Sequence, residues 1–344
     1  MVLAAGKGER LRSGKAKVLH ELNGWPMLRY VLAATTTLPA KERVVVIGHQ
    51  GERVREEFQG FGVTFVEQRE QRGTGHALLQ TEPVLRDRGG ELLILPGDLP
   101  LLQPAVLEKF LEFHRDANGK FSLLSAVVPD PRGYGRVVRD SEGGSGRVLR
   151  IVEERDATPE EREIKEINSG IYLIRNDELL WEGLRGLRAD NAQGEYYLTD
   201  LVEFYIAEGE PVRALALIGA EAEAVLGVNS RAELAQAEAV LRRRKLEEFF
   251  TAGVSVELPE ATVIEQEASA GQDTLLRGSA RLRGRTRLGK GCLAEDSLLR
   301  DVQLGDEAVI RRAQLERYTV GPRCRIEFSL LRGPEPEAEG KEGT

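Results

Sequence analysis

The sequence predicts a three-layer α/β domain followed by a short parallel β-helix. Three observations carry this reading. From residue 1 to about 228 short apolar runs alternate with helical patterns, a glycine-bearing turn (Gly6-Lys7-Gly8) follows the first run, and from about residue 254 apolar residues recur every six positions. Strands alternating with helices imply a mainly parallel sheet covered on both faces. In such sheets ligands bind beyond the carboxyl ends of the strands, so the loops that follow strands carry the chemistry.

The first strand is read over Val2–Ala5, and the pattern from Val18 to Ala33 is helical. Four residues make a short first strand for such a sheet, so residues upstream of Met1 are expected. Val44–Ile47, Val63–Val66, Leu92–Leu95, Leu123–Val128 and Ile171–Ile174 read as further strands, and Ala105–His114 as a helix. Ser230-Arg-Ala-Glu233 has the capping-box spacing and opens a helix to about Phe249, whose basic stretch Arg242–Lys245 is expected to be a solvated face. The domain limits read as 1–228 for the α/β domain, 229–250 for a connecting helix, 251–332 for the β-helix and 333–344 for a disordered acidic tail.

In the repeat region the recurring apolar positions are Leu276, Leu282 and Leu288, then Leu298, Leu304 and Ile310, then Val320 and Ile326. Gly289, Gly305 and Gly321 each follow one of these positions directly. A six-residue period without helical pattern is the hexapeptide signature of a parallel β-helix, whose coils bury little alone and must stack. An ordinary antiparallel β domain is the alternative.

The net charge of −8, with scattered basic residues, argues against nucleic acid or an anionic membrane surface as a partner. The only cysteines, Cys292 and Cys324, form no C-x-x-C pair, which fits a reducing compartment and a cytoplasmic location. No apolar run approaches the roughly 18 residues of a membrane span, and no signal peptide is evident.

The turn after the first strand, Leu3-Ala-Ala-Gly-Lys-Gly-Glu-Arg10, lets backbone N–H groups approach a phosphate, while Arg10 and Lys17 add positive charge. It is neither a Walker A loop, since no Lys-Ser/Thr pair closes it, nor a dinucleotide fingerprint, since Leu11 stands at the third glycine. Asp98 follows the strand Leu92–Leu95 through Pro96-Gly97, where a magnesium ligand for a nucleotide is wanted; a plain turn residue is the alternative. Asn229 precedes the capping box, so either its amide oxygen is free for another role or it caps the helix itself. Gln68 and Gly73, in Gln68–His76, could meet a flat heterocycle through donor and acceptor pairs.

Eight colinear motifs extend this picture. Leu3–Arg10 with Lys17-Val-Leu-His20, Gln71–Ala77, Pro96–Pro100, Tyr134-Gly-Arg136, Ile151–Glu154 with Asp156-Ala-Thr158, Glu166–Ile171, Asn191–Asp200 and Gly227-Val-Asn229 resemble the uridylyltransferase half of the bacterial bifunctional UDP-N-acetylglucosamine pyrophosphorylase/glucosamine-1-phosphate N-acetyltransferase family. The resemblance runs in order from residue 2 to about 245. It implies a nucleotide-diphospho-sugar transferase fold and a left-handed β-helix that forms a homotrimer. It further implies that Leu3, Ala4, Ala5, Gly6, Lys17, Gln68, Gly73 and Thr74 hold UTP, with Lys17 on phosphate and Arg10 helping to neutralise the triphosphate. Asp98 and Asn229 would hold Mg²⁺, and Pro96, Gly97, Asp98, Gly135, Glu153, Asn168 and Asn229 would surround N-acetylglucosamine 1-phosphate. The implied reaction yields UDP-N-acetylglucosamine, a cell-wall precursor, and pyrophosphate.

The resemblance breaks in three places. Glu9 stands where the family favours threonine and Pro96 where it usually has tyrosine. No histidine follows His114, so the acetyltransferase activity that the family carries on its β-helix is expected to be absent. Two other readings stay open: a nucleotidylyltransferase for another sugar 1-phosphate, and a noncatalytic scaffold that senses nucleotide-sugar.

Overall fold

A computed structural model describes residues 1–117, 119–141 and 146–334. The chain forms two compact units: Met1–His20 with Pro26–Leu234, and Glu21–Trp25 with the residues from Ala235 on. The acidic tail expected from residue 333 lies, from 335 on, outside the described residues. Among the described residues no helix is long and apolar enough to cross a membrane.

The strands up to residue 217 are β1 (Val2–Ala4), β2 (Glu21–Leu22), β3 (Trp25–Pro26), β4 (Val44–Ile47), β5 (Thr64–Glu67), β6 (Glu91–Pro96), β7 (Phe121–Val127), β8 (Arg136–Arg139), β9 (Val148–Val152), β10 (Glu166–Arg175) and β11 (Val212–Leu217). Nine of them form one sheet along the path β11-β7-β10-β6-β1-β4-β5, with β8 and β9 attached beside β10. Neighbouring residues on one strand bury opposite faces. Val45, Ile47, Leu95 and Leu124 enter one apolar cluster, while Val44, Ile94, Leu123 and Ile174 enter another, so helices must cover both sides. β1 lies between β4 and β6, parallel to both. The chain leaves β1 toward β4 and returns to β6 on its other flank, which makes the β1/β6 boundary a topological switch point where two loops diverge.

Along that path four of the six pairings are parallel, as expected, and β10 is the exception, entering antiparallel between β6 and β7. Between β7 and β10 the chain makes the β8–β9 hairpin and one short helix (Pro159–Arg162) instead of a crossover helix, so β10 runs back the other way. One expectation needs correction: Val18 and Leu19 lie in a 3₁₀ turn, and the segment Val18–Ala33 is α-helical only from Met27. Before it, Asn23 (φ 46°) and Gly24 (φ 86°) form a tight hairpin between β2 and β3, and Pro26 precedes the helix. An Asn-Gly pair with both φ values positive is the favoured two-residue hairpin turn, and it overrides the apolar periodicity.

The helix Arg231–Thr251 opens on a formed capping box: Glu233 N donates to Ser230 Oγ at 3.2 Å, and Ser230 N donates to Glu233 Oε2 at 3.1 Å. Its basic stretch is not all solvated, as the sequence suggested. Lys245 is buried, 2.9 Å from Glu248 and 5.5 Å from the Phe249 ring centre, because its stem packs while its charge is paired on the same helix.

In the second unit, strands of two or three residues stack in parallel on three sheets. This is a parallel β-helix, consistent with the left-handed class. Its inward residues are Leu276, Leu282, Leu288, Ala294, Leu299, Leu304, Ile310, Leu315 and Val320, all buried. The strict six-residue reading fails after Ala294: Leu299, not Leu298, faces the core. Partners in adjacent coils lie 18 residues apart at Thr274 and Cys292 but 16 apart at Glu295 and Arg311. Corners such as Asp296 (φ 45°), Asp301 (φ 53°) and Arg312 (φ 45°) turn on a single left-handed residue, and inward positions then follow five residues apart as well as six. Two of the glycines after inward positions, Gly289 and Gly305, serve close approach, while Gly321 does not. A Cβ on Gly305 would meet Pro322 N at 2.5 Å, and one on Gly289 would meet Asp306 N at 2.7 Å. Outward, Arg277 lies 3.1 Å from Glu257, and Arg311 lies 3.2 Å from both Glu295 and Glu327.

The register generates a direct prediction. Leu299→Ala is expected to cost about 2–5 kcal/mol, as for a buried leucine, and Leu298→Ala less than about 1 kcal/mol. Thermal unfolding of the two variants checks it; the reverse ranking would restore the strict six-residue period.

Candidate active site

The loop after β1 folds back on itself. Gly8 takes a left-handed conformation (φ 67°), and a Cβ there would sit 2.7 Å from Lys17 Cβ, so only glycine lets the loop pass over Lys17. Gly6, by contrast, has nothing within 4 Å of a notional Cβ and stays open to a ligand. Lys17 begins a 3₁₀ turn (Lys17–Leu19) and points its ammonium to two oxygens. It donates to Asp98 Oδ2, and to Asn229 Oδ1 at 2.6 Å. The Lys17 and Asp98 side chains are only 13% and 17% exposed, so solvent screens this contact weakly.

Each partner has its own support. Asp98 lies just past β6, where Gly97 N donates to Leu3 O at 2.9 Å, tying the end of β6 to β1. Val228 N donates to Asp98 O at 3.0 Å, and the Tyr134 hydroxyl donates to Gly227 O at 3.2 Å. Burial pushes the Tyr134 phenol up to about 12, so it stays a donor. Since Ser230 and Glu233 cap the helix, Asn229 keeps its amide oxygen for Lys17. One carboxylate oxygen and one amide oxygen, already gathered around a cation, suit a magnesium ion that takes its remaining ligands from phosphates and water. Among the described residues no group of three or more His, Cys, Asp or Glu side chains is placed to hold a metal ion by itself.

Gly135, Glu153 and Asn168 form a second group. Asn168 N donates to Gly135 O at 2.9 Å, and a Cβ on Gly135 would lie 3.5 Å from the Glu153 carboxyl. A bulge in β10 between Asn168 and Ile171 turns Asn168, whose amide donates to the Tyr172 hydroxyl at 2.7 Å and accepts from Gly170 N at 3.1 Å. Burial raises the Glu153 carboxyl above the usual range; the Thr199 hydroxyl, donating at 3.3 Å, opposes this, while Asp200, Asp156 and Glu195 add to it. Asp200 itself is pushed up to about 6 by burial, then by Glu203 and Asp156. Pro96 sits at the end of β6, where a Cβ on Gly170 would meet its ring at 2.9 Å.

Gln68, Gly73 and Thr74 form the third group. Gln68 is buried, and its amide nitrogen reaches Gly73 O and His76 Nδ1, both at 3.0 Å. Gly73 (φ 104°) presses on Tyr196, whose carbonyl oxygen would lie 2.6 Å from a Cβ, and Thr74 Oγ1 accepts from Leu198 N at 3.0 Å. Leu3, Ala4 and Ala5 line the end of β1, where Ala5 O accepts from His49 N at 3.3 Å. Arg10 is exposed, with its guanidinium 3.5 Å from where a Cβ on Gly133 would lie and near enough to Tyr134 to oppose the rise of that phenol's pKa.

Gln50 lies in no motif that the sequence offered, while Tyr134, His76 and Thr199 lie inside quoted motifs but the partners of their side chains could not be read from spacing.

Residues 1–165 match the MobA-like NTP transferase domain. The chain is 40% identical over 334 residues to bifunctional protein GlmU of Koribacter versatilis, covering 94% of this chain and 70% of that protein. Against the bifunctional protein GlmU of Pelobacter propionicus identity is 43% over 341 residues, covering 98% and 70%. A Thermus thermophilus protein of the same name is 47% identical over 292 residues, covering 85% and 62%. A Bacillus anthracis crystal structure described as a putative glucose-1-phosphate thymidylyltransferase in complex with a sucrose aligns with a TM-score of 0.53 at 19% identity, over 70% of this chain and 93% of that one, and supports the fold alone. With relatives at this identity along most of its length and an NTP transferase domain over residues 1–165, the chain belongs to the GlmU family of bifunctional proteins and is a nucleotidyltransferase.

Proposed function

We propose that the chain transfers a uridylyl group from UTP to N-acetylglucosamine 1-phosphate, releasing pyrophosphate. The observation that carries this is the meeting of Lys17, Asp98 and Asn229 in one crevice, in the unit that also holds the Gly135–Glu153–Asn168 group. A phosphate oxygen of the sugar phosphate attacks the α-phosphorus, the bond from that phosphorus to the bridging oxygen breaks, and pyrophosphate leaves with the electron pair. The attacking oxygen is already ionised at neutral pH, so no general base is required. The work is alignment and charge neutralisation. Lys17, with Arg10, would neutralise the phosphates, and the open Gly6 backbone would leave room for a phosphate oxygen. Mg²⁺ held by Asp98 and Asn229 would add positive charge at the α-phosphate. Gln68 and the Gly73 backbone would meet the base, and Glu153 and Asn168 the sugar hydroxyl or amide groups.

The β-helix is proposed to join three copies of the chain. Its three flat sheets offer outward faces, and Phe328 and Leu330 are 71% and 74% exposed on the last described coil. Sedimentation equilibrium is expected to give three times the mass of one chain; a monomer at micromolar concentration would refute this.

One incubation tests the activity: UTP, Mg²⁺ and a panel of sugar 1-phosphates, read by pyrophosphate release. N-Acetylglucosamine 1-phosphate is expected to be the best acceptor, and Lys17→Ala to lower kcat/KM about 100- to 1,000-fold with little change in thermal stability. Failure of every sugar phosphate would leave the scaffold reading, and a preference for glucose 1-phosphate the other enzyme reading. With no histidine beyond His114, acetyl-CoA and glucosamine 1-phosphate are expected to give no product.

Glu153 accepts hydrogen bonds best when ionised, and burial holds its pKa high. The KM for the sugar phosphate is therefore expected to climb as pH falls through that raised pKa, and Glu153→Gln to give a flat, uniformly higher KM. Folding stability moves the other way. A carboxyl whose folded pKa exceeds its unfolded one loses stability as pH rises from the unfolded value through the folded value, so Glu153→Gln is expected to be the more stable protein at neutral pH. A variant that keeps the wild-type pH profile would exclude Glu153 from the sugar site.

A further inference from the structure

Gln50 ends the loop after β4 and stands at the start of the helix Gly51–Phe58 in a left-handed conformation (φ 54°, ψ 35°). Glycine adopts that region freely and other residues at a cost, which is sustained only where the surroundings hold the residue there. The Gln50 side chain does not cap its own helix. Instead it crosses to the phosphate loop, where its Oε1 accepts from Ala16 N at 3.0 Å and its Nε2 donates to Gly14 O. Gly14 and Ala16 lie in a stretch outside any helix or strand, so the amide supplies a partner on each side as a neighbouring strand would. Ala16 is buried, its carbonyl accepts from Leu19 N at 3.0 Å, and Lys17 is the next residue.

We infer that Gln50 is a positioning residue for Lys17: its side-chain amide clamps the strap Gly14–Ala16 and so holds the Lys17 ammonium against Asp98 and Asn229. Both clamping bonds come from one side chain, so a single substitution removes them together. The inference rests on the reading of Lys17 as the cation that meets phosphate. An ammonium on a four-carbon stem has many rotamers, and a strap free to shift would spread them further, so the clamp acts by lowering the disorder that binding must remove.

The test is a double-mutant cycle on the full chain, read by pyrophosphate release from UTP with the best sugar 1-phosphate. Gln50→Gly removes the clamp while suiting the left-handed backbone, which offsets part of the cost of the lost bonds, and thermal unfolding run alongside shows that the protein stays folded at the assay temperature. In the otherwise native protein Gln50→Gly is expected to lower kcat/KM about tenfold, and in the Lys17→Ala background less than about twofold, because the group it positions is gone. Gln50→Ala, which keeps the backbone cost, is expected to show the same non-additivity with a lower melting temperature. Unchanged kcat/KM in Gln50→Gly, or an equal drop in both backgrounds, overturns the inference and leaves the role of Lys17 standing. A Lys17→Ala variant with native kcat/KM overturns both.

Discussion

One ammonium group gathers three distant segments of the chain. Lys17 reaches a carboxylate oxygen 81 residues away and an amide oxygen 212 residues away, from a position where little water competes. A charge that is mostly desolvated is costly unless paired, so the three segments are held to one another by the need to satisfy it. The surrounding architecture serves that meeting. β1 delivers the loop and β6 ends at Asp98. The capping box frees Asn229, and the Val228–Asp98 bond keeps the last two loops together.

The Gly135–Glu153–Asn168 group, proposed to meet the sugar, rests on the opposite principle, an anion left short of partners. Glu153 sits among Asp156, Glu195 and Asp200 with one hydroxyl donor, an arrangement that costs the folded state free energy. Such strain is typical of a site that needs its groups available to a ligand, and the neighbouring structure bears it. The segment Tyr196–Thr199 joins the two sides: Tyr196 exchanges backbone bonds with Arg72 and Gly75, Leu198 bonds to Thr74, and Thr199 bonds to Glu153.

Much of this was legible in the sequence because it depends on local chemistry. The placement of Asp98 just past a strand, the Ser230–Glu233 box that releases Asn229, and the run of coils could all be read from spacing alone. What escaped depends on long-range pairing or on residues adopting unfavoured backbone. β10 looks like any apolar strand, and its direction follows from the β8–β9 hairpin, which has no strong periodicity. The five-residue corners were hidden because Asp296, Asp301 and Arg312 turn left-handed where glycine would have announced the bend. The helix read from Val18 missed the Asn23-Gly24 turn, since apolar spacing was weighed above turn chemistry. Gln50 carried no signal at all, because its importance lies in a contact 34 residues back along the chain.

The proposal centres on one shared cation, which Asp98 and Asn229 would hold together with the phosphates that Lys17 would contact. The most direct measurement is a crystal structure with Mn²⁺ and a nonhydrolysable UTP analogue, in which anomalous scattering locates the metal. A single strong peak is expected at about 2.1 Å from oxygens of both Asp98 and Asn229, with the Lys17 ammonium on a phosphate oxygen. A metal bound elsewhere, or one touching neither side chain while the nucleotide occupies the crevice, would contradict it.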